Sequence, residues 1–152
     1  MITVNGWTPY AHPLFLAQLE KLTSASGRAR GKDPIAYTSS ADAKLLAAIR
    51  KLVFEVIPVD PSRPEFRQGG TLGRERKHWF RAKFGNGRFR LFFRYSTAAK
   101  IIIFAWVNDS NTLRTYGSKS DAYAVFKSML EKGNPPEDWE ALLEACTELA
   151  AG

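Results

Sequence analysis

This sequence of 152 residues predicts an α+β fold, and two features of it do so. Three strand-like runs at 78–84, 88–95 and 100–107 follow one another across short links, Gly85-Asn86-Gly87 and Ser96-Thr97-Ala98-Ala99. Such links favour an antiparallel meander. Segments with apolar residues at helical spacing stand on either side of it. Helices, meander, helices is the order of an α+β domain, and the length suits a single domain over residues 1–152.

Each element has its own signal. Residues 4–10 read as a short edge strand, weakened by Gly6 and Pro9. Pro13 opens a helix carrying Leu14, Phe15, Leu19 and Leu22 on one face. The stretch 24–32, with Gly27, Gly31 and three cations, reads as a flexible basic loop. A longer helix is expected over 40–57, with Leu45, Leu46, Ile49, Leu52, Val53 and Val56 as its buried stripe and Pro58 as its stop. Three prolines and three glycines between 58 and 77 make that stretch a long irregular connection, a kind that is often functional. After the meander, a helix over 118–132 turns Ala122, Val125, Phe126, Met129 and Leu130 inward and stops at Gly133. Pro135-Pro136 precedes a last helix bearing Trp139, Leu142, Leu143, Cys146 and Leu149.

Composition narrows the function. No apolar run approaches the ~20 residues of a membrane helix, and the first residues lack the basic start and apolar core of a signal peptide. The single cysteine, Cys146, excludes an internal disulfide, so a cytoplasmic protein is expected. The net charge is +7, yet residues 63–100 alone hold eleven cations and two acids, a local +9. A positive block within a near-neutral chain suggests a polyanion-binding face, and equally a solvated basic surface.

The second strand sharpens that choice. With a period of two, Phe89, Leu91, Phe93 and Tyr95 share one face, while Arg88, Arg90, Phe92 and Arg94 share the other. Arg81 and Lys83 continue the second face on the neighbouring strand. An apolar face packed on helices and a cationic face left open would offer phosphates a platform, since each guanidinium can bind two oxygens. Trp79 and Phe92 would lie among these cations and stack on bases. The plain alternative is a polar outer face whose cations discourage edge pairing.

Other chemistries find little support. His12 and His78 stand in no ligand-spaced cluster, and Asp109 and Asp121 are isolated acids suited to turns and helix caps. Gly69-Gly70-Thr71-Leu72-Gly73 lacks the ending of a phosphate loop, and no hydrolase elbow appears. No cofactor or metal is expected. Arg, Lys, Tyr and His remain to carry any reaction.

A set of motifs then points to a family. They are Asn5-Gly6-Trp7 with Tyr10-Ala11-His12-Pro13, Gly31-Lys32-Asp33-Pro34, Arg81-x-Lys83-Phe84-Gly85-x-Gly87-Arg88 and Arg90-Leu91-Phe92-Phe93-Arg94-Tyr95. Trp106-x-Asn108-Asp109, Asn111 to Gly117, Asp121-Ala122-Tyr123 and Pro135-Pro136-x-Asp138-Trp139 follow in order. Together they resemble the YhaV toxin family across nearly the whole chain, and the strand pattern resembles the wider RelE superfamily. The resemblance implies a RelE-like α+β fold: an antiparallel meander with helices on one face, RNA on the other, and additional C-terminal helices. It implies a toxin that cleaves RNA, often on translating ribosomes, and so arrests growth. It also implies a PrlF-like antitoxin with a swapped-hairpin fold, and contact with operator DNA only through the antitoxin complex.

The resemblance also assigns residues. Arg81, Lys83 and Arg90 fall where such toxins place cations on the first two meander strands, and Tyr123 matches a tyrosine found near the scissile nucleotide. Arg114, Tyr116 and Lys119 lie in the region that supplies another cation; with Arg88, Arg94 and His78 they are the candidate RNA contacts. Tyr116 and Tyr123 have packing as an alternative role, His78 could act as a base, and His12 suits a structural hydrogen bond. The implied reaction is attack of a ribose 2′-hydroxyl on its own 3′-phosphate, which needs a proton acceptor, a proton donor and cations at the phosphorane oxygens. Arg81 and Arg90 would supply charge, and Lys83 or Tyr123 the proton transfers. A ParE-like toxin that cleaves no RNA, or a simple RNA-binding module, would use the same scaffold.

Overall fold

The structure is a computed structural model that describes residues 2–109 and 121–150. Its centre is the expected meander: β2 (Phe80–Phe84), β3 (Phe89–Ser96) and β4 (Ile101–Val107) pair antiparallel in sequence order. The β2–β3 turn places Gly85, Asn86 and Gly87 at φ of 60°, 58° and 78°, the left-handed conformations that these residue types accept most readily.

The first strand departs from expectation. Asn5 and Gly6 both have positive φ, and Val4 and Trp7 exchange backbone hydrogen bonds of 2.7 and 2.9 Å around them, which makes a tight turn. Only Thr8–Ala11 then forms β1, and β1 is not an edge strand. It runs parallel to β4 and carries β5 (Thr147–Glu148) on its other side, giving the order β2-β3-β4-β1-β5. Pro9 is compatible with this because Thr8 and His12 turn their N–H groups to Lys100 and Phe104, while Pro9 uses only its carbonyl, towards Leu149.

α1 (Pro13–Lys32) continues through the stretch expected to be a loop. Gly27 and Gly31 each cost about 1 kcal/mol relative to Ala within a helix, but packing of α1 along α2 (Ala41–Lys51) outweighs that propensity. Ser40 caps α2 by accepting from the Ala43 N–H at 3.2 Å. The helix then widens into a π turn at Leu52–Val56 and tightens at Ile57–Val59, so the stripe ends where expected by a less regular route. α3 (Ala122–Glu131) is capped by Asp121, and Gly133 closes it with φ of 78°. α4 covers only Trp139–Ala145, so Cys146 and Leu149 lie beyond the helix that was expected to carry them.

The sheet is covered on both faces, not one. Leu91, Phe93, Ile102 and Phe104 pack on Phe15, Ile49, Val53 and Ile57 from α1, α2 and the turns after α2. On the opposite face, Phe92, Ile103 and Ala105 pack on Trp79, Phe126, Leu130 and Leu142. The reason lies in β4, whose seven residues are all apolar, so both of its faces must be buried. The face expected to be open and cationic is therefore largely closed by α3 and α4. Trp79 and Phe92, expected to stack on bases there, are 0% exposed and belong to the core. No helix among the described residues is long and apolar enough to cross a membrane.

Candidate active site

Where α3 meets the β2–β3 hairpin, three of the expected residues converge. Arg81 and Arg90 stand on adjacent strands, and the register pairs Lys83 with Arg90 and Arg81 with Phe92. The Asp121 side chain accepts the Tyr123 N–H at 3.0 Å, which fixes the first turn of α3 above the hairpin. The Tyr123 ring then packs edge-on against Phe92 at 5.6 Å. Its hydroxyl oxygen accepts from Arg81 Nε at 2.8 Å and from Arg90 Nε at 3.2 Å. The Arg90 guanidinium also lies 5.7 Å from the Tyr123 ring centroid.

Backbone carbonyls hold the two guanidiniums. Arg81 Nη1 donates to the Glu65 carbonyl at 2.7 Å, and Arg90 Nη1 donates to the Gly87 carbonyl. The side chains are far from free, with Arg81 at 9% and Arg90 at 4% exposure. Lys83 and Arg88 beside them are exposed, and Arg88 Nε reaches only its own turn, at Gly85. The Tyr123 oxygen thus accepts from two guanidiniums at once, and its O–H is a donor by nature. The arrangement gathers charge, fixed donors and a phenolic proton at one point.

The irregular connection is ordered by its own side chains. Gln68 donates to the Arg76 carbonyl at 2.9 Å and accepts from the Leu72 N–H at 3.3 Å and from the Thr71 hydroxyl at 2.9 Å. Arg76 in turn grips Glu137 through Nε at 2.8 Å. Leu72 and Phe66 are buried, and the Glu65 carbonyl is thereby set against Arg81.

Other expected residues lie elsewhere. The Arg94 guanidinium sits between Trp79 and Trp139, 5.4 and 5.3 Å from their ring centroids, and donates to the Glu137 carbonyl at 2.6 Å. Burial lowers its pKa from the ordinary arginine value, which Glu137 and Asp138 partly offset. The charged groups that bear on His78 are Arg94, Glu137 and Arg76, not the Arg81–Tyr123–Arg90 group; loss of solvation and then Arg94 hold the imidazole below its usual range. His12 caps α1, as its position suggested, with Nδ1 accepting from the Leu14 N–H at 3.1 Å. Burial pushes the Cys146 thiol up to about 12, which removes it as a nucleophile. Arg114, Tyr116 and Lys119 lie outside the described residues. Among the described residues, no three His, Cys, Asp or Glu side chains come together as a metal site.

Two members of the site carried no assigned role beforehand. Asn108, within the Trp106-x-Asn108-Asp109 motif, accepts from the Arg90 N–H at 2.6 Å and donates to the Arg88 carbonyl at 3.0 Å. The Glu65 contribution is a carbonyl, for which no residue type is a signal.

Fold and site define a small α+β protein in which two arginines and a tyrosine converge where the β2–β3 hairpin meets α3. The chain belongs to the YhaV toxin family, described as toxins with endonuclease activity of toxin–antitoxin systems, whose model matches residues 9–147. It is 52% identical over 146 residues to Toxin YhaV of Escherichia coli O6:H1 strain CFT073, and equally to Ribonuclease toxin YhaV of Escherichia coli K12, with 95% of each chain covered. No solved structure matches.

Proposed function

We propose that this toxin is an endoribonuclease that cleaves RNA by attack of the 2′-hydroxyl on the adjacent phosphate, with Arg81, Arg90, Tyr123 and Lys83 as its catalytic residues. The observation that carries the reading is the convergence of two guanidiniums on one phenol oxygen. Cations held in place before the substrate arrives need little reorganisation when the phosphorane charge develops. Lys83, directly across the strand pair from Arg90, takes the proton of the attacking 2′-hydroxyl, and Tyr123 gives its proton to the departing 5′-oxygen, so that the bond from phosphorus to the 5′-oxygen breaks as the bond to the 2′-oxygen forms. The protein of Escherichia coli K12 bears the name ribonuclease toxin, which supports RNA as the substrate. These residues supply charge and proton transfer without a metal ion.

The same reading extends to the setting. The antiparallel meander with α1 and α2 on one face supports a RelE-like architecture, to which α3 and α4 add a cover on the other face, and the substrate is RNA in the cytoplasm, on translating ribosomes or free. Arg88 stands beside the site as an exposed RNA contact, and Arg114, Tyr116 and Lys119 remain contacts proposed from the family resemblance. Membership of a toxin–antitoxin family implies an antitoxin. We assign it to the PrlF-like, swapped-hairpin type, with an acidic segment lying across or beside Arg81, Lys83 and Arg90, and operator DNA reached only through that complex.

Tyr123→Phe tests the core of this reading. The ring keeps its packing, so the fold should persist while cleavage falls by roughly 100-fold or more, the usual loss of a proton-transfer group. On free RNA, wild-type cleavage should survive EDTA and leave a cyclic phosphate or its 3′-phosphate product with a 5′-hydroxyl. A folded Tyr123→Phe protein cutting at the wild-type rate, or magnesium-restored activity with 5′-phosphate ends, would refute it.

A further inference from the structure

Beyond Val107 the strand β4 has ended, yet β3 still turns the Arg90 N–H and the Arg88 carbonyl towards the space that a continued β4 would fill. The Asn108 side chain occupies that space, at 2% exposure. Its Oδ1 accepts from the Arg90 N–H at 2.6 Å and its Nδ2 donates to the Arg88 carbonyl at 3.0 Å. One amide thus replaces a stretch of main chain, and only this orientation of the amide satisfies both partners.

Two further features deliver Asn108 to that position. Phe93 pairs with Phe104, but Phe92 pairs with Trp106 and Leu91 with Val107, so Ala105 is an extra residue bulged out of register. Continuing the shifted register places Asn108 opposite Arg90; without the bulge, Asn108 would stand opposite Phe89. The end of β4 is also pinned. Gln18 of α1 accepts from the Val107 N–H at 3.1 Å and donates to the Val107 carbonyl at 2.6 Å. Asn108 therefore acts from an anchored base.

We infer that Asn108 is the positioning residue of the site: by clamping the main chain on either side of Phe89, it sets the Arg90 guanidinium against the Tyr123 hydroxyl. Arg90 reaches Tyr123 at 3.2 Å through Nε, so its direction depends on the main-chain position from which it departs. Arg81 is held instead by β2 and the Glu65 carbonyl and does not depend on this clamp. The functional consequence rests on the proposed role of Arg90, whereas the geometric claim stands apart from it.

Two readouts on the full-length protein separate these claims. Hydrogen exchange at the arginine Nε–H groups, followed by nuclear magnetic resonance, reports the clamp directly. Asn108→Ala should speed exchange at Arg90 Nε–H at least tenfold, on the order of a lost hydrogen bond, and leave Arg81 Nε–H little changed. Single-turnover cleavage of RNA should fall roughly 100-fold, as expected for a misplaced group, and should fall no further when Asn108→Ala is added to Arg90→Ala. Unchanged Arg90 Nε–H exchange would overturn the inference, as would the same loss of cleavage in both backgrounds, which is the mark of a general structural role. If Arg90→Ala alone cleaves like wild type, the proposed role of Arg90 fails while the exchange result still judges Asn108. Should Asn108→Ala not fold, Asn108→Asp keeps the size and the acceptor for Arg90 but sets an oxygen against the Arg88 carbonyl. The same two readouts then apply.

Discussion

His12 starts α1 by accepting a backbone N–H through Nδ1, which only the neutral ring can do. Burial lowers its pKa from the ordinary value of 6.5. Its contribution to stability is therefore complete above about pH 6.5 and is lost as the pH falls through the lower folded-state value. Thermal melts between pH 8 and 5 should show the wild type losing more stability on acidification than His12→Asn, whose amide caps without titrating. Parallel pH profiles would refute this. Other roles were less legible at this scale. Alternation along the strands singled out Arg81, Lys83 and Arg90, and the family motif added Tyr123; Arg81, Arg90 and Tyr123 converge, while Lys83 stands exposed across the strand pair from Arg90. Period two also grouped Arg94 with them and set Trp79 on the same face, but the second indole that holds Arg94, Trp139, comes from α4, which no strand pattern relates to β3. Asn108 and the Glu65 carbonyl act through main-chain geometry, which side-chain periodicity does not encode.

Among the elements, the meander was plain because its turns announce it, and the stretch 24–32 was not, because two glycines and two serines resemble a loop. An added Cβ at Gly27 meets nothing within 4 Å. Gly27→Ala should therefore raise stability by about 0.5–1 kcal/mol, while Gly27→Pro should lower it by about 3 kcal/mol. Denaturant titration of the two variants distinguishes a helix from a loop, since a loop would tolerate the proline. The all-apolar run of β4 did announce a strand buried on both faces, but the cationic row on β3 drew the reading towards an open platform. Phe92 was the telling residue. An aromatic side chain between Arg90 and Arg94 marks where α3 docks, and that docking brings Tyr123 to the arginines.

For the whole molecule, charge governs encounters more than stability. The local +9 within 63–100 should speed approach of an acidic antitoxin segment, while apolar anchors determine how slowly the complex parts. Raising salt towards 1 M, where the Debye length is ~3 Å, should lower the association rate measured by stopped flow and leave dissociation nearly unchanged. Salt-independent association would count against a docking surface at the arginines. The internal position of β1, between β4 and β5, has a consequence of another kind. Its partner β4 lies far along the chain, and β5 lies farther still, whereas β2, β3 and β4 find one another across tight turns. Closing so long a loop costs entropy before any contact repays it. The hairpin carrying Arg81 and Arg90 can form from local contacts, while the sheet closes only when a short strand from one end of the chain slots between partners from the other. The pairing of β1 with β4 and β5, which involves neither Arg81 nor Arg90, is thus the entropically costly closure of the sheet.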